Sequence, residues 1–128
     1  MRAAAMDDKT VQYYDDHAYK VARRYESADT SILHAMLHRW LSNSSRVLEI
    51  GCGSGRDAYF MASTLGLDVT ATDASEGMLR LATQKYLPAS RGKLSFLQAS
   101  FPVNSSCALI KQQFDAVVAT AVVMHIPN

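Results

Sequence analysis

The chain has 128 residues, of which 48% are hydrophobic and 20% charged, and its formal net charge is +1. That length suits one domain with a core of its own, and the balanced charge offers no basic face for nucleic acid or a membrane surface. The opening MRAAAMDDKT lacks the apolar stretch of a secretory leader, and no run reaches membrane-spanning length, which points to the cytosol.

The first predicted element runs from about Asp8 to Arg24, where Val11, Tyr14, Ala18, Val21, Ala22 and then Tyr25 recur at three- and four-residue spacings, the mark of a helix. Asp29, Thr30 and Ser31 offer N-caps for a second helix carrying Ile32, Leu33, Met36, Leu37, Trp40 and Leu41. Arg23, Arg24, Arg39 and Arg46 read as solvated charges, and His17, His34 and His38 have no ligand spacing and are expected at the surface or an interface. After the loop SNSS, Ser42 to Ser45, the pattern changes period.

RVLEI is a short buried strand, followed by a glycine turn and a helix from about Arg56 to Leu65. LDVTATD is a second strand ending at Asp73, and the helix after it, Ser75 to Tyr86, is halted by Pro88. KLSFLQA makes a third strand, Ser105 to Lys111 a short helix, and FDAVVATAVVM a fourth strand that is apolar at nearly every position. Strands alternating with helices form βαβ units, hence an α/β fold with a parallel sheet. Ligands of such sheets bind beyond the carboxyl ends of the strands, where the glycine turn, Asp73, Ser100 and His125 all fall.

The glycine turn, VLEIGCGSGRDA, raises the question of its ligand. A dinucleotide fingerprint places its third glycine where this chain has Arg56, and Glu49 would face an anionic pyrophosphate. A phosphate loop needs Gly-Lys-Ser/Thr, which is missing. A cationic nucleoside without phosphates, S-adenosylmethionine, resolves the conflict. Glu49 favours its cationic end, Gly51, Gly53 and Gly55 allow close backbone approach, and Asp73 accepts from the ribose hydroxyls. Cys52 supplies the small side chain that such a turn needs, and neither it nor Cys107 has the pair spacing of a metal or redox motif. Arg56 and Asp57 either pair in the first helical turn or help position the ligand.

VLEIGCGSGRDA, VTATDAS and FDAVVATAVVMHIP together resemble the class I, Rossmann-like methyltransferases that use S-adenosylmethionine, in particular small bacterial ones with a YD..A..Y helix near the start. The resemblance runs from about Tyr14 to the last residue. It implies a three-layer α/β/α domain over 1–128, with a helical extension or lid at 1–44 and the first half of the core at 45–128. The first four strands would take the order 3-2-1-4 in a sheet that is incomplete. Glu49, Gly51, Cys52 and Gly53 would surround the methionine part, Asp73 the ribose, and Ala74 and Met78 the adenine. Ser100 stands where the family often has an acidic residue, Ala119 and Thr120 would lie near the methionine end, and His125 would be the candidate base at the reaction centre. Tyr14, Tyr19 and Arg24 of the lid are further candidate contacts to cofactor or substrate.

The implied activity is methyl transfer to a small-molecule acceptor, leaving S-adenosylhomocysteine, with no metal. Two alternatives stay open: a non-catalytic cofactor-binding or interaction module, and a nicotinamide-dependent oxidoreductase. The family's fourth strand is internal, whereas this sequence stops at MHIPN, just after it. Val117, Val118, Val122 and Val123 would then expose an apolar edge, so the expectation is a piece of a longer protein or self-association across that edge.

Overall fold

Val47, Leu48 and Glu49 are buried in succession along β1 (Arg46–Ile50), as expected of a strand covered on both faces. The computed structural model describes residues 8–90, 93–103 and 108–119. In it β1 pairs in parallel with β2 (Asp68–Asp73) on one side and β4 (Ala116–Val118) on the other. β3 (Leu94–Gln98) lies beyond β2, which gives the order β3-β2-β1-β4 anticipated above. α4 (Arg56–Ser63) joins β1 to β2, and α5 (Glu76–Tyr86) leads from β2 towards β3. Met61 of α4 and Leu79 of α5 pack with Val47, Val69, Ala71 and Leu94 of the strands into one core.

The N-terminal periodic segment forms two helices, α1 (Asp8–Asp16) and α2 (Ala18–Ser27), rather than one. His17 sits between them at φ −116°, ψ 17°, where its Nδ1 lies 2.8 Å from the Tyr13 carbonyl oxygen and its ring stacks on Tyr13. Backbone bonds from His17 to Tyr13 (3.0 Å) and from Val21 to His17 (2.9 Å) still cross the kink, so the hydrophobic period survives it. α3 (Ser31–Trp40) begins where the caps predicted, with the Ser31 N–H donating to Asp29 Oδ1 at 2.9 Å. Only part of its apolar stripe turns inward: Leu37 and Leu41 are buried, whereas Ile32 and Trp40 are 78% and 63% exposed.

Later boundaries shift by a residue or two. α4 stops at Ser63, and Gly66, at φ +71°, reverses the chain into β2. α5 ends at Tyr86, and Pro88 falls in a short 3-10 turn, Leu87–Ala89. Only Ala108–Lys111 of the predicted Ser105–Lys111 helix is described, as a second 3-10 turn. The Asp115 carboxylate accepts the Ser45 and Arg46 N–H groups, both at 2.8 Å, and so aligns the start of β4 with that of β1. Among the described residues no strand pairs with the far side of β4, where Val117 is 60% exposed. Also among them, no helix is long and apolar enough to cross a membrane.

Candidate functional site

The turn after β1 depends on glycine, because Gly51, Gly53 and Gly55 take φ values of 75°, 55° and 87°, where a side chain is strained. It is stitched to β2 by the Cys52 N–H donating to the Thr72 carbonyl at 2.8 Å and the Gly53 N–H donating to Asp73 Oδ2 at 2.9 Å. Asp73 Oδ1 accepts the Ser75 N–H at 2.9 Å. Asp73 therefore holds the ends of β1 and β2 together through both oxygens, each keeping further acceptor capacity. Burial outweighs these bonds and pushes its carboxyl above the usual carboxylate range.

Glu49 is 1% exposed, and its Oε1 has no hydrogen-bond partner. Burial pushes its carboxyl up to about 8, and the nearby charges of Asp57 and Asp73 add to the effect. Asp57, in the first turn of α4, does not pair with Arg56; its Oδ1 lies 2.7 Å from His34 Nε2 on α3. Neighbouring helical positions point in different directions, so Arg56 reaches instead to the carbonyl oxygens of Glu26 and Ala28, at 2.7 Å each. His34 is consequently half-buried, stacked on Phe60, rather than free at the surface. Cys52 is buried, and burial with the charges of Glu49 and Asp73 holds its thiol well above its usual range, so it is packing rather than nucleophile.

Two of the glycines face protein rather than open space. A Cβ on Gly55 would stand 2.9 Å from Ala82 Cβ and 3.2 Å from the Tyr86 ring, so the missing side chain of this glycine lets α4 dock on α5. A Cβ on Gly53 would stand 2.9 Å from Tyr25 Cε2 and 4.0 Å from Met78 Cε. Tyr25 of α2 thus lies on the glycine turn, with its hydroxyl hydrogen-bonded to Tyr14 and its phenol pushed up to about 12, mainly by burial. Met78 is buried with Ala18 and Val21, and so joins α5 to α2 beside the site.

The remaining candidates spread out. Ala74 is buried at the end of β2, its carbonyl accepting from Gln98 Nε2 at 3.2 Å. Tyr14 reaches the site through Tyr25, but Tyr19 does not: it is 67% exposed, with its ring 6.0 Å from the Arg23 guanidinium carbon. Arg24 is exposed, and its charge acts on Tyr25. Ser100 and Ala119 are exposed; Ser100 follows Ala99, whose N–H donates to the Asp73 carbonyl at 3.1 Å. Thr120 and His125 lie outside the described residues.

Tyr25, Asp15 and Glu26, all on the N-terminal helices, are absent from the sequence-based candidates. Asp15 Oδ1 accepts from Ser75 Oγ at 2.6 Å and from the Gly77 N–H at 2.9 Å, so α1 caps α5. Glu26 accepts from Lys85 Nζ at 2.6 Å, from the Tyr86 hydroxyl, and from Ser54 Oγ at 3.5 Å, and lies 3.8 Å from Arg56 Nε. These contacts fasten α1 and α2 over the glycine turn. Only the helical period and the YD pair hinted at them, since neither indicates what a polar side chain on a lid will meet.

Residues 47–128 match a family model described as a methyltransferase domain. No curated protein matches the chain. Among solved structures it is similar to the glycopeptide N-methyltransferase MtfA complexed with sinefungin, at 24% identity over 73% of this chain and 37% of that one, TM-score 0.59. A TehB-like SAM-dependent methyltransferase from Corynebacterium glutamicum matches over 92% of this chain and 58% of its own, at 19% identity and TM-score 0.62. The N-terminal domain of EvdMO1 with SAH bound matches over 80% and 40%, at 22% identity and TM-score 0.59. The chain thus spans 37–58% of the length of these proteins. With its glycine turn, its Asp73-tied strand ends and the strand order β3-β2-β1-β4, the chain belongs to the methyltransferase-domain family and has the class I, Rossmann-like fold.

Proposed function

We propose that the chain binds S-adenosylmethionine at the carboxyl ends of β1 and β2 and holds it for methyl transfer to a small-molecule acceptor. One observation carries this reading: the unpartnered Oε1 of the buried Glu49, close enough to Asp57 and Asp73 to feel both charges. A cation satisfies that oxygen and relieves the repulsion, whereas a pyrophosphate would add to it. This is the ground for preferring S-adenosylmethionine over a nicotinamide dinucleotide. Sinefungin in MtfA and SAH in the EvdMO1 domain are ligands of the same adenosyl class.

The residues present fit that ligand. Glu49 would meet the sulfonium or the ammonium, the spare acceptor capacity of Asp73 would take the ribose hydroxyls, and Ala74 and Met78 would flank the adenine. The hydroxyls of Tyr14 and Tyr25 now bond each other, and the Tyr25 ring lies on Gly53, so a ligand there would displace or stack on that ring. Ser100 and Ala119 stand at the ends of β3 and β4. His125, where the acceptor needs deprotonation, would be the base. The bound ligand supplies an electrophilic methyl group on a good leaving group, so the protein's share is alignment and exclusion of water. A cytosolic location belongs to the same proposal, supported by the free, buried Cys52.

Calorimetry tests the reading. S-adenosylmethionine and S-adenosylhomocysteine should bind with micromolar affinity and NAD should not; tighter binding of NAD overturns it. A radiolabelled-methyl screen of small acceptors then separates turnover from binding alone.

A further inference from the structure

We propose that a cationic ligand entering at the ends of β1 and β2 expels a proton from the Glu49 carboxyl group, so that binding at this site is coupled to proton release. The inference rests on the ligand reading above and adds to it a charge state and a pH dependence.

Glu49 is 1% exposed and its Oε1 has no partner. The groups around it mostly oppose a charge. Asp73 faces it from the end of β2 and Asp57 from the first turn of α4. The glycine turn brings the Cys52 thiol, and the described residues of β4, Ala116–Val118, bring no charge. From α3, His34 is held on Asp57; from α2, Tyr25 faces Asp73. Among the described residues, no Lys or Arg forms an ion pair with Glu49, Asp57 or Asp73. A third carboxylate with an unpartnered oxygen and no ion pair is costly there, so the ligand-free site keeps Glu49 protonated.

A sulfonium or ammonium reverses the preference. The protonated Glu49 and the cation become a Glu49 carboxylate paired with the cation, and one proton passes to solvent; no bond of the ligand changes. Because burial holds the free carboxyl near 8, the ligand must displace a proton at any lower pH. The dissociation constant should therefore fall about tenfold per unit of pH up to that point and level off above it.

The test is calorimetry with S-adenosylmethionine at pH 7 in phosphate and in Tris, whose different ionisation heats report the protons exchanged. The parent chain should release roughly one proton more per ligand bound than Glu49→Gln. Its dissociation constant should drop about tenfold from pH 6 to pH 7, while that of Glu49→Gln stays level. Asp57→Asn should keep the release and move the levelling-off to lower pH, because one of the two opposing charges is gone. A His34→Gln control should leave the difference between parent and Glu49→Gln in place, which excludes imidazole as the source. Equal proton counts in parent and Glu49→Gln, or a pH-independent affinity of the parent, overturn the coupling alone. Failure of the parent to bind at any pH overturns the ligand reading and the coupling together.

Discussion

Replacement of Asp73 should cost stability before any ligand is added. Its two oxygens accept the N–H groups of Gly53 and Ser75, each at 2.9 Å, across the junction of the glycine turn, β2 and α5. A hydrogen bond to a charged group contributes about 1.5–3 kcal/mol, and a buried N–H left without an acceptor costs about 1–3 kcal/mol. Ser75 is 1% exposed, so its N–H has no water to turn to; Gly53 is half-buried and recovers part of its loss. Asp73→Ala should therefore lose about 3–5 kcal/mol, a large part of the stability of an ordinary domain. Asp73→Asn keeps one acceptor and turns an amide NH₂ against the other N–H, which should cost about 1–3 kcal/mol. Urea denaturation of the ligand-free chain measures both. An Asp73→Ala variant within about 1 kcal/mol of the parent would refute the bracing role. The ligand arm follows from Asp73→Asn, which should keep the fold: its affinity for S-adenosylhomocysteine should fall about tenfold or more, and unchanged affinity would remove Asp73 from the ribose site.

The turn glycines should separate by phenotype. Gly55→Val meets Ala82 Cβ at φ +87° and should abolish the fold by circular dichroism, whereas Gly53→Val meets the movable Tyr25 ring and should fold with reduced stability while losing ligand binding; a well-folded Gly55→Val sinks the docking role. Glu26→Ala should unfasten α2, speeding its amide exchange about 10–100-fold and costing about 1–3 kcal/mol, less if solvent screening is strong. Burial and Glu26 together hold the Tyr86 phenol well above its usual range, so its titration should move back down in that variant. Unchanged exchange in α2 would show that the latch is dispensable.

Periodicity alone carried most of the architecture. RVLEI matches β1 residue for residue, Asp73 ends β2, and Ser75 caps α5, because apolar runs, caps and glycine turns act within a few residues of themselves. The kink at His17 escaped that logic, since the i to i+4 bonds and the apolar spacing both run through it. Glu49 and Asp73 stand out in the sequence because a carboxylate within a buried apolar strand is costly unless something pairs with it. What the sequence could not determine was who the partners are. That Gly55 serves α5, that Asp57 turns to His34 and away from Arg56, and that Tyr25 rests on Gly53 depend on contacts between residues 23 to 31 positions apart. Such contacts follow from the crossing of helices over the sheet, and only the assembled tertiary structure decides where those crossings fall.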